Sequence, residues 1–330
     1  MKAMVLTQQQ NPLKLEEVPT PIPGPNEVLI QVMACAVCRT DLHIYLGELT
    51  HPNLPLILGH QVVGKVIDTG PGCKKYQLGD VVGAPWLAKS CGQCFYCMER
   101  EENLCDNPLL RGYQINGGFA EYCLADEDYI FAIPSDYSPE EAAPMLCGGL
   151  IGYRSLKMAG KAVNIGFYGF GSSAHILLQV ARHQGQQIYA FTRPGDTITQ
   201  DFAKSIGAVW AGGSDQLPPV LLDAAIIFAS AGELIPAALK AVRKGGKVIC
   251  AGIHMSDIPS FSYDLLYGER SVCSVMNLTR QDGADFFALA KELHIRSHVT
   301  NYPLEKANEA LLDLKEGKFR GSAVIKINSN

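Results

Sequence analysis

The sequence predicts an α/β protein with a mainly β domain and a second domain built around a doubly wound parallel sheet. Its 330 residues are enough for about two domains. Residues 1–146 alternate short apolar runs with turns rich in proline and glycine, which is typical of β-structure. From residue 151 onward, strand and helix patterns alternate, which is typical of a parallel sheet covered by helices on both faces.

The composition excludes several classes of protein. Hydrophobic residues make up 47% and charged residues 18%, which favours a large core over disorder. The net charge of −5 comes without a basic block, so we expect no nucleic-acid partner. We find no apolar run of membrane-spanning or signal-peptide length, and therefore expect a cytoplasmic protein without membrane association. Eleven cysteines in that compartment indicate metal binding or catalysis rather than disulfides.

The first predicted domain places metal-competent side chains at the ends of apolar strands. Strands are predicted at 13–18, 27–33, 56–67 and 117–124. Between the second and third of these strands, residues 35–43 crowd two cysteines, a histidine and an aspartate into a strand-to-helix junction, where Thr40 or Asp41 is the expected helix start. His60 interrupts a β-rich run, and a single histidine there is more often an ordinary core or surface residue than a metal ligand.

Four closely spaced cysteines predict a structural zinc site. Cys91, Cys94, Cys97 and Cys105 follow the pattern C-x2-C-x2-C-x7-C, so four thiolates can surround one tetrahedral zinc and leave no position open for substrate. Iron–sulfur ligation is an alternative, but the common cluster spacing ends in C-x3-C-P, whereas here the last gap is seven residues. A disulfide set is the other alternative, which the expected compartment disfavours.

The second predicted domain carries the strand and helix alternation in order. The predicted strands are 163–168, 187–191, 223–228 and 246–251, and the predicted helices are 151–159, 175–183, 201–206 and 235–242. Two further helices, at 285–293 and 304–316, precede a closing strand at 322–327.

A glycine-rich loop between the first strand and its following helix predicts a dinucleotide site. The motif is G-x-G-x-x-A, formed by Gly169, Gly171 and Ala174, with Ser172 and Ser173 as the variable residues. The first glycine permits a tight turn, the second lets the backbone approach a pyrophosphate, and the helix N-terminus faces the anion. An ordinary tight turn between strand and helix is the alternative.

The end of the next strand favours NADP(H) over NAD(H), with NAD(H) as the alternative. An acidic residue normally holds the ribose of NAD at this point, but the sequence has Thr192 and Arg193. An arginine can pair with a 2′-phosphate, and the missing carboxylate removes a repulsion. Asp196 lies past the Pro-Gly turn and is a candidate for a displaced acid.

Taken in order, these motifs resemble the zinc-dependent alcohol dehydrogenases of the medium-chain dehydrogenase/reductase superfamily over essentially the whole chain. The resemblance is carried by C-R-T-D-L-H at 38–43, Gly59-His60, the four-cysteine cluster, C-G-G at 147–149 and the loop at 169–174. It implies a GroES-like domain at 1–149 and 287–330 that carries two zinc ions, and a Rossmann domain at 150–286. It also implies a small alcohol or aldehyde substrate and a homo-oligomer, either a dimer or a tetramer.

The resemblance also assigns roles to individual side chains. Cys38, His60 and Cys147 are implied as ligands of a catalytic zinc with one open position. Thr40 and His43 are implied as a proton relay, Asp41 as the carboxylate that orients His60, and Arg39 as a contact of the cofactor pyrophosphate. Gly252 and Ile253 follow a strand of the sheet and are expected to line the nicotinamide pocket, because ligands bind at the carboxyl ends of such strands.

Gln61 and Arg320 depart from the family pattern. A third residue, Trp86, bears on the size of the substrate. Gln61 stands where members carry glutamate after the ligand histidine, which puts metal exchange in question. Arg320 precedes Gly321, whereas many members have the reverse order, so its cofactor role is left open. Trp86 resembles the pocket residue of members that accept small alcohols, with core packing as the alternative. Other medium-chain dehydrogenases, acting on polyols or aromatic alcohols, and a non-catalytic zinc or nucleotide-binding protein are the alternative functions.

Overall fold

The computed structural model describes residues 1–327 and divides into two compact units. The first unit comprises Met1–Leu150 and the chain from Asn277 onward, and the second comprises Ile151–Met276. None of the helices formed by residues 1–327 combines the length and the apolar character needed to cross a membrane.

Eighteen strands and nine α-helices make up the described part of the chain. The strands are β1 Lys2–Leu6, β2 Lys14–Glu17, β3 Glu27–Val37, β4 Leu56–Ile57, β5 Val62–Thr69, β6 Val81–Ala84, β7 Leu87–Lys89, β8 Leu109–Leu110, β9 Tyr122–Asp126, β10 Phe131–Ala132, β11 Asn164–Tyr168, β12 Gln187–Thr192, β13 Trp210–Gly213, β14 Leu222–Ile227, β15 Val242–Cys250, β16 Ser271–Ser274, β17 Val299–Pro303 and β18 Ser322–Lys326. The helices are α1 Arg39–Leu46, α2 Phe95–Met98, α3 Pro139–Ala142, α4 Gly148–Ala159, α5 Ser172–His183, α6 Thr197–Ser205, α7 Leu234–Ala241, α8 Arg280–Leu293 and α9 Ala307–Glu316.

The long strand β3 organises the first unit. It pairs with β5, β9 and β18, all antiparallel, inside a sheet of order β10-β6-β5-β3-β18-β17. The pairing with β5 shifts register twice, and such bulges increase the twist and bend of a sheet. Cys35 on β3 pairs with Val62 at the start of β5, so the end of β3 and the loop before β5 lie side by side.

The second unit is a six-stranded parallel sheet. Its order is β13-β12-β11-β14-β15-β16, in which the chain starts in the middle, builds outward to one edge and then returns to build the other half. Strands β11, β12 and β14 are buried almost throughout, as expected for a sheet covered on both faces. This is the doubly wound arrangement of dinucleotide-binding folds, so the predicted combination of a mainly β part and a doubly wound part is confirmed.

Several details differ from the sequence-based prediction, and three of them bear on the architecture. Strands β13 and β16 were not predicted, because both are short edge strands with weak apolar patterns. Helix α8 starts at Arg280 rather than at 285, because Thr279 and Asp282 form a reciprocal capping box. The predicted boundary at 286/287 therefore falls inside a helix, whereas the compact unit begins at Asn277, before that helix starts.

Candidate active site and metal centres

The structure brings Cys38, His60 and Cys147 together from three separate segments of the first unit. Cys38 caps the N-terminus of α1, His60 lies between β4 and β5, and Cys147 precedes α4. One possible ligand atom from each of the three lies within 4.8 Å of the other two. The two sulfurs are 3.8 Å apart, far longer than a disulfide bond.

This separation fits a bound zinc ion. Two Zn–S bonds of about 2.3 Å at a tetrahedral angle place their sulfurs roughly 3.8 Å apart. His60 is completely buried, and its Nε2 makes no hydrogen bond within residues 1–327. A buried nitrogen without a partner is costly, and a metal ion would satisfy it. Donor types, spacing and the unsatisfied nitrogen therefore all suit a Cys2His zinc site with one open position.

The carboxylate of Asp41 orients two of the three candidate ligands, Cys38 and His60. Its Oδ2 accepts a hydrogen bond from the backbone N of Cys38 at 2.8 Å. Its Oδ1 accepts from the backbone N of Gly59 at 3.1 Å and lies 3.1 Å from Nδ1 of His60. Because Nδ1 is held by the carboxylate, Nε2 is the nitrogen turned to a metal.

The pKa values of the three candidate ligands follow from burial and from these contacts. Burial alone would lower the pKa of His60, but Asp41 and Cys38 outweigh it and raise that pKa to about 10. The hydrogen bond from Cys147 lowers the pKa of Cys38 well below its usual range, and the same bond raises the pKa of Cys147.

The two residues of the expected relay lie on α1, three positions apart and thus on one helix face. Thr40 Oγ1 is 3.8 Å from the sulfur of Cys38, and both Thr40 and His43 are almost fully buried. His43 Nδ1 contacts the carboxylate of Glu48, whose side chain is 41% exposed and so reaches solvent. Glu48 was missed from the sequence, because only the reversal of the chain after α1 brings it back to His43.

Gln61, the departure from the family pattern, is buried and tied to the neighbouring strand. Its side-chain Nε2 donates to Ala36 O at 3.2 Å, and its backbone O accepts from Ala36 N at 3.1 Å. The Gln61 side chain thus links the start of β5 to β3, directly after His60.

Trp86 lies against the candidate ligand His60. The two rings meet edge to face with centroids 4.9 Å apart, and Trp86 is 8% exposed. The indole also stacks on Tyr113. Tyr113 was not identified from the sequence, because the contact joins residues 27 positions apart and depends on the loop between β8 and β9.

The four cysteines of the predicted structural site also converge. Cys91, Cys94, Cys97 and Cys105 place their sulfurs within 4.8 Å of one another, and the sulfurs of Cys91 and Cys97 are 4.0 Å apart. That separation again fits a tetrahedral zinc. The thiols of all eleven cysteines are free.

In the second unit, the glycine-rich loop has the shape expected for a phosphate site. Gly169 directly follows β11 and has φ +89°, and a Cβ there would lie 3.0 Å from the backbone N of Ala229, so the position favours glycine. Gly171 precedes the first residue of α5, and the space where its Cβ would be is open. The loop therefore leaves room for a phosphate at the N-terminus of a twelve-residue helix that begins with Ser172 and Ser173.

Thr192, the last residue of β12, and Arg193 stand where the sequence predicts the contact with the ribose. The Thr192 hydroxyl donates to Arg193 O and accepts from Gln200 Nε2, both at 3.0 Å. Asp196 accepts from the backbone N of Thr199 and caps α6, so it is committed to the helix. Arg193 is exposed.

Of the other residues considered as cofactor contacts, two lie in the second unit and two in the first. Gly252 and Ile253 follow the carboxyl end of β15, and the Ile253 side chain is exposed. Arg39 is the first residue of α1 and is exposed, as is Arg320 before β18.

Comparison with known proteins gives consistent results. Residues 24–135 match the alcohol dehydrogenase GroES-like domain. The chain is 43% identical over 323 residues to a probable alcohol dehydrogenase, AdhA, of Mycobacterium tuberculosis, an alignment that covers 95% of this chain and 93% of that protein.

Solved structures share the fold. Acetophenone reductase of Geotrichum candidum, in complex with NAD, has a TM-score of 0.89 at 28% identity and covers 98% of this chain and 96% of its own. CAD from Helicobacter pylori, complexed with NADP(H), has a TM-score of 0.90 at 23% identity over 98% and 97% of the two chains.

Proposed function

This chain belongs to the alcohol dehydrogenases of the medium-chain dehydrogenase/reductase superfamily, and we propose that it is zinc-dependent. In this proposal it transfers hydride between a nicotinamide cofactor and a small alcohol or aldehyde. The first unit is the GroES-like domain and would carry two zinc ions. The second unit is the Rossmann domain and would bind the dinucleotide.

The observation that carries the proposal is the convergence of Cys38, His60 and Cys147. Two sulfurs 3.8 Å apart and a buried imidazole nitrogen without a hydrogen bond make three zinc ligands, and a catalytic zinc has three protein ligands plus an open position. Zinc bound there would supply Lewis acidity, which polarises a carbonyl and eases removal of an alcohol proton.

The protein side chains would then orient the substrate and move the proton. The Thr40 hydroxyl, which lies 3.8 Å from the sulfur of Cys38, would exchange a hydrogen bond with the substrate oxygen. His43 would pass the proton onward, since a histidine both accepts and donates protons near neutral pH. Asp41 would hold His60 in the tautomer that presents Nε2, and burial of these groups excludes water from the reacting atoms.

The four-cysteine site would hold the second zinc as a structural clamp. All four positions of the ion would be filled by thiolates, which leaves none for substrate. An iron–sulfur cluster would place iron and sulfide between its cysteines, whereas the sulfurs of Cys91 and Cys97 are only 4.0 Å apart.

NADP(H) is the favoured cofactor, with NAD(H) as the alternative. Support comes from Thr192 and the exposed Arg193 after β12, and from Asp196, which caps α6 and is therefore engaged away from a ribose. The related structures do not favour one cofactor, since one was solved with NADP(H) and the other with NAD. Arg39, Gly252 and Ile253 are proposed as further cofactor contacts.

Trp86 supports a small substrate. An indole packed on His60 narrows the approach to the open metal position, so short primary alcohols and aldehydes are favoured over bulky ones. We also propose a cytoplasmic homo-oligomer, because the cysteines are free thiols and members of the family commonly pair.

The experiment that tests the proposal is a rate measurement with short, aromatic and bulky aldehydes, using NADPH and NADH in parallel, with and without a chelator. The expected result is turnover of short aldehydes that prefers NADPH and is lost with the chelator. Turnover unaffected by the complete removal of zinc would overturn the zinc mechanism. Tight NADPH binding without turnover of any aldehyde would point to a non-catalytic protein, and a preference for polyols or aromatic alcohols to another medium-chain dehydrogenase.

A further inference from the structure

The loop that carries Tyr113 is packed unusually close to the metal-competent residues. Gly112 has φ +70°, and a Cβ at this position would lie 3.1 Å from the backbone N of Gly59, the residue before His60. The two loops therefore meet backbone against backbone, and only glycine allows this approach. The main chain of Tyr113 is thereby fixed beside His60.

The Tyr113 ring stacks on Trp86, which also contacts His60. Tyr113 and Trp86 stack with centroids 6.1 Å apart and planes inclined by 22°, while Trp86 meets His60 edge-on at 83°. Such offset stacking is a favourable aromatic arrangement. The backbone of Trp86 is held as well, because its O accepts from Arg111 N at 2.9 Å.

A second set of contacts ties Tyr113 to the loop after α1. The Tyr113 hydroxyl donates to Thr50 O, and Asn53 N donates to Tyr113 O at 3.0 Å. The side chain of Asn53 donates to Gln114 O at 2.8 Å. Tyr113 is thus anchored at its ring, its hydroxyl and its main chain, and it links Trp86 to the loop that follows the helix of Thr40 and His43.

We propose that Tyr113 is a specificity-determining residue that acts by positioning: it holds the Trp86 indole edge-on to His60, so that the two rings together restrict the site to short, unbranched aldehydes and alcohols. This inference rests on the proposed function. Without the stack the indole would lose the contact of its face with Tyr113, and among the ring contacts found within residues 1–327 it would keep the one with His60. With the stack in place, the indole keeps one orientation and forms a rigid side of the substrate pocket.

The catalytic test compares Tyr113→Phe, which removes only the hydroxyl anchor, with Tyr113→Leu, which also removes the stack. The readout is the ratio of kcat/KM for a branched or aromatic aldehyde to that for a two- or three-carbon aldehyde. A change of one or two methylene-sized groups in an apolar pocket alters discrimination by about tenfold or more. We expect the ratio to rise about tenfold in Tyr113→Leu and about twofold in Tyr113→Phe.

Two controls separate positioning from a general structural role. Tyr76→Phe removes a similar hydrogen bond, from Tyr76 hydroxyl to Ile130 O at 3.0 Å, in the same unit, and the ratio is expected to stay unchanged. The double variant Trp86→Ala/Tyr113→Leu is expected to match Trp86→Ala alone, because a residue that acts through Trp86 adds nothing once Trp86 is absent. A uniform loss with all aldehydes would overturn the proposal, since it would mean that Tyr113 only stabilises the fold.

A second readout does not need turnover. The chain has two tryptophans, Trp86 and Trp210, so a Trp210→Phe background leaves Trp86 as the single fluorescent indole. We expect acrylamide quenching of Trp86 to rise about twofold when Tyr113→Leu is added, because an exposed fraction of only 8% protects it at present. Tyr113→Met, which also removes the aromatic stack, serves if the leucine variant does not fold. Equal quenching in parent and variants would overturn the positioning role. Failure of the wild type to reduce any aldehyde would instead overturn the proposed function.

Discussion

Glu102, in the loop between the third and fourth cysteines of the four-cysteine cluster, accepts two hydrogen bonds from the first residue of α8. The backbone N of Arg280 donates to Glu102 Oε1 at 2.8 Å, and the guanidinium Nε donates to the same oxygen at 3.0 Å. Arg280 also lies over the ring of Tyr129, whose hydroxyl pairs with Ser90. The loop between Cys97 and Cys105 thus anchors the N-terminus of α8, the first helix after the chain returns to the first unit.

Because of this contact, we expect Glu102→Gln to destabilise the first turn of α8. The amide keeps an acceptor oxygen but loses its charge, and charge-assisted hydrogen bonds are about twice as strong as neutral ones. Amide hydrogen exchange at 280–283 should become about fivefold to tenfold faster, which corresponds to roughly 1 kcal/mol. The matched control is Glu101→Gln, since Glu101 is its exposed neighbour in the same loop. Equal exchange in the two variants would show that the contact contributes nothing.

Cys38→Ser is expected to remove the catalytic metal and leave the structural one. Zinc content should fall from about two ions per chain to about one, and the rate of aldehyde reduction should fall by about a thousandfold or more. Metal analysis and initial rates check this outcome. Cys273→Ser, outside both cysteine clusters, should change neither quantity. Full zinc content in Cys38→Ser would remove Cys38 from the ligand set.

Zinc affinity at the catalytic site should rise steeply with pH. The pKa of about 10 for His60 and the raised pKa of Cys147 favour the protonated forms of both groups in the metal-free site, so zinc must displace their protons to bind, whereas the lowered pKa of Cys38 favours its thiolate. Displacing two protons increases the affinity by about a hundredfold per pH unit, and this dependence persists until the pH approaches the higher pKa values.

Calorimetry in buffers of different ionisation enthalpy measures this proton release. The relevant part of the binding curve is the one that disappears in His60→Ala, which separates it from the four-cysteine site. Release of fewer than about one proton between pH 7 and 8 would show that the empty site is not protonated as described.

Arg193→Ala is expected to reduce the preference for NADPH. A charged hydrogen bond to the 2′-phosphate contributes about 1.5–3 kcal/mol, so the KM for NADPH should rise about tenfold to a hundredfold while that for NADH changes little. Lys204→Ala, an exposed cation of the following helix, is the matched control. If NADPH and NADH were affected alike, the position would not read the 2′-phosphate.

Local motifs were recovered from the sequence because their chemistry depends on near neighbours in the chain. The four cysteines lie within 15 residues, and the phosphate loop lies between a strand and a helix, so spacing alone predicts both. The metal-competent set of Cys38, His60 and Cys147 spans 110 residues, and its members were recognised only through the order of several motifs. The structure then brought these three side chains together.

The contacts that the sequence did not predict depend on tertiary packing. Tyr113 reaches Trp86 because Gly112 packs on Gly59, and no periodic pattern encodes that approach. Glu102 meets Arg280 across 178 positions of the chain. The start of α8 was missed because its capping box uses aspartate at the third helical position, where the usual signature has glutamate or glutamine.

The three hydrogen bonds of Asp41 define what would have to be transplanted to move this candidate metal site into another protein. The Asp41 carboxylate accepts hydrogen bonds from the backbone N of Cys38 and of Gly59 and contacts Nδ1 of His60. It therefore sets the relative position of two separate segments of the chain. A graft of the three ligands alone would leave the imidazole free to turn. The smallest portable unit is therefore the pair of segments 38–41 and 59–60 held at the β3–β5 register, with Cys147 supplied from a third element.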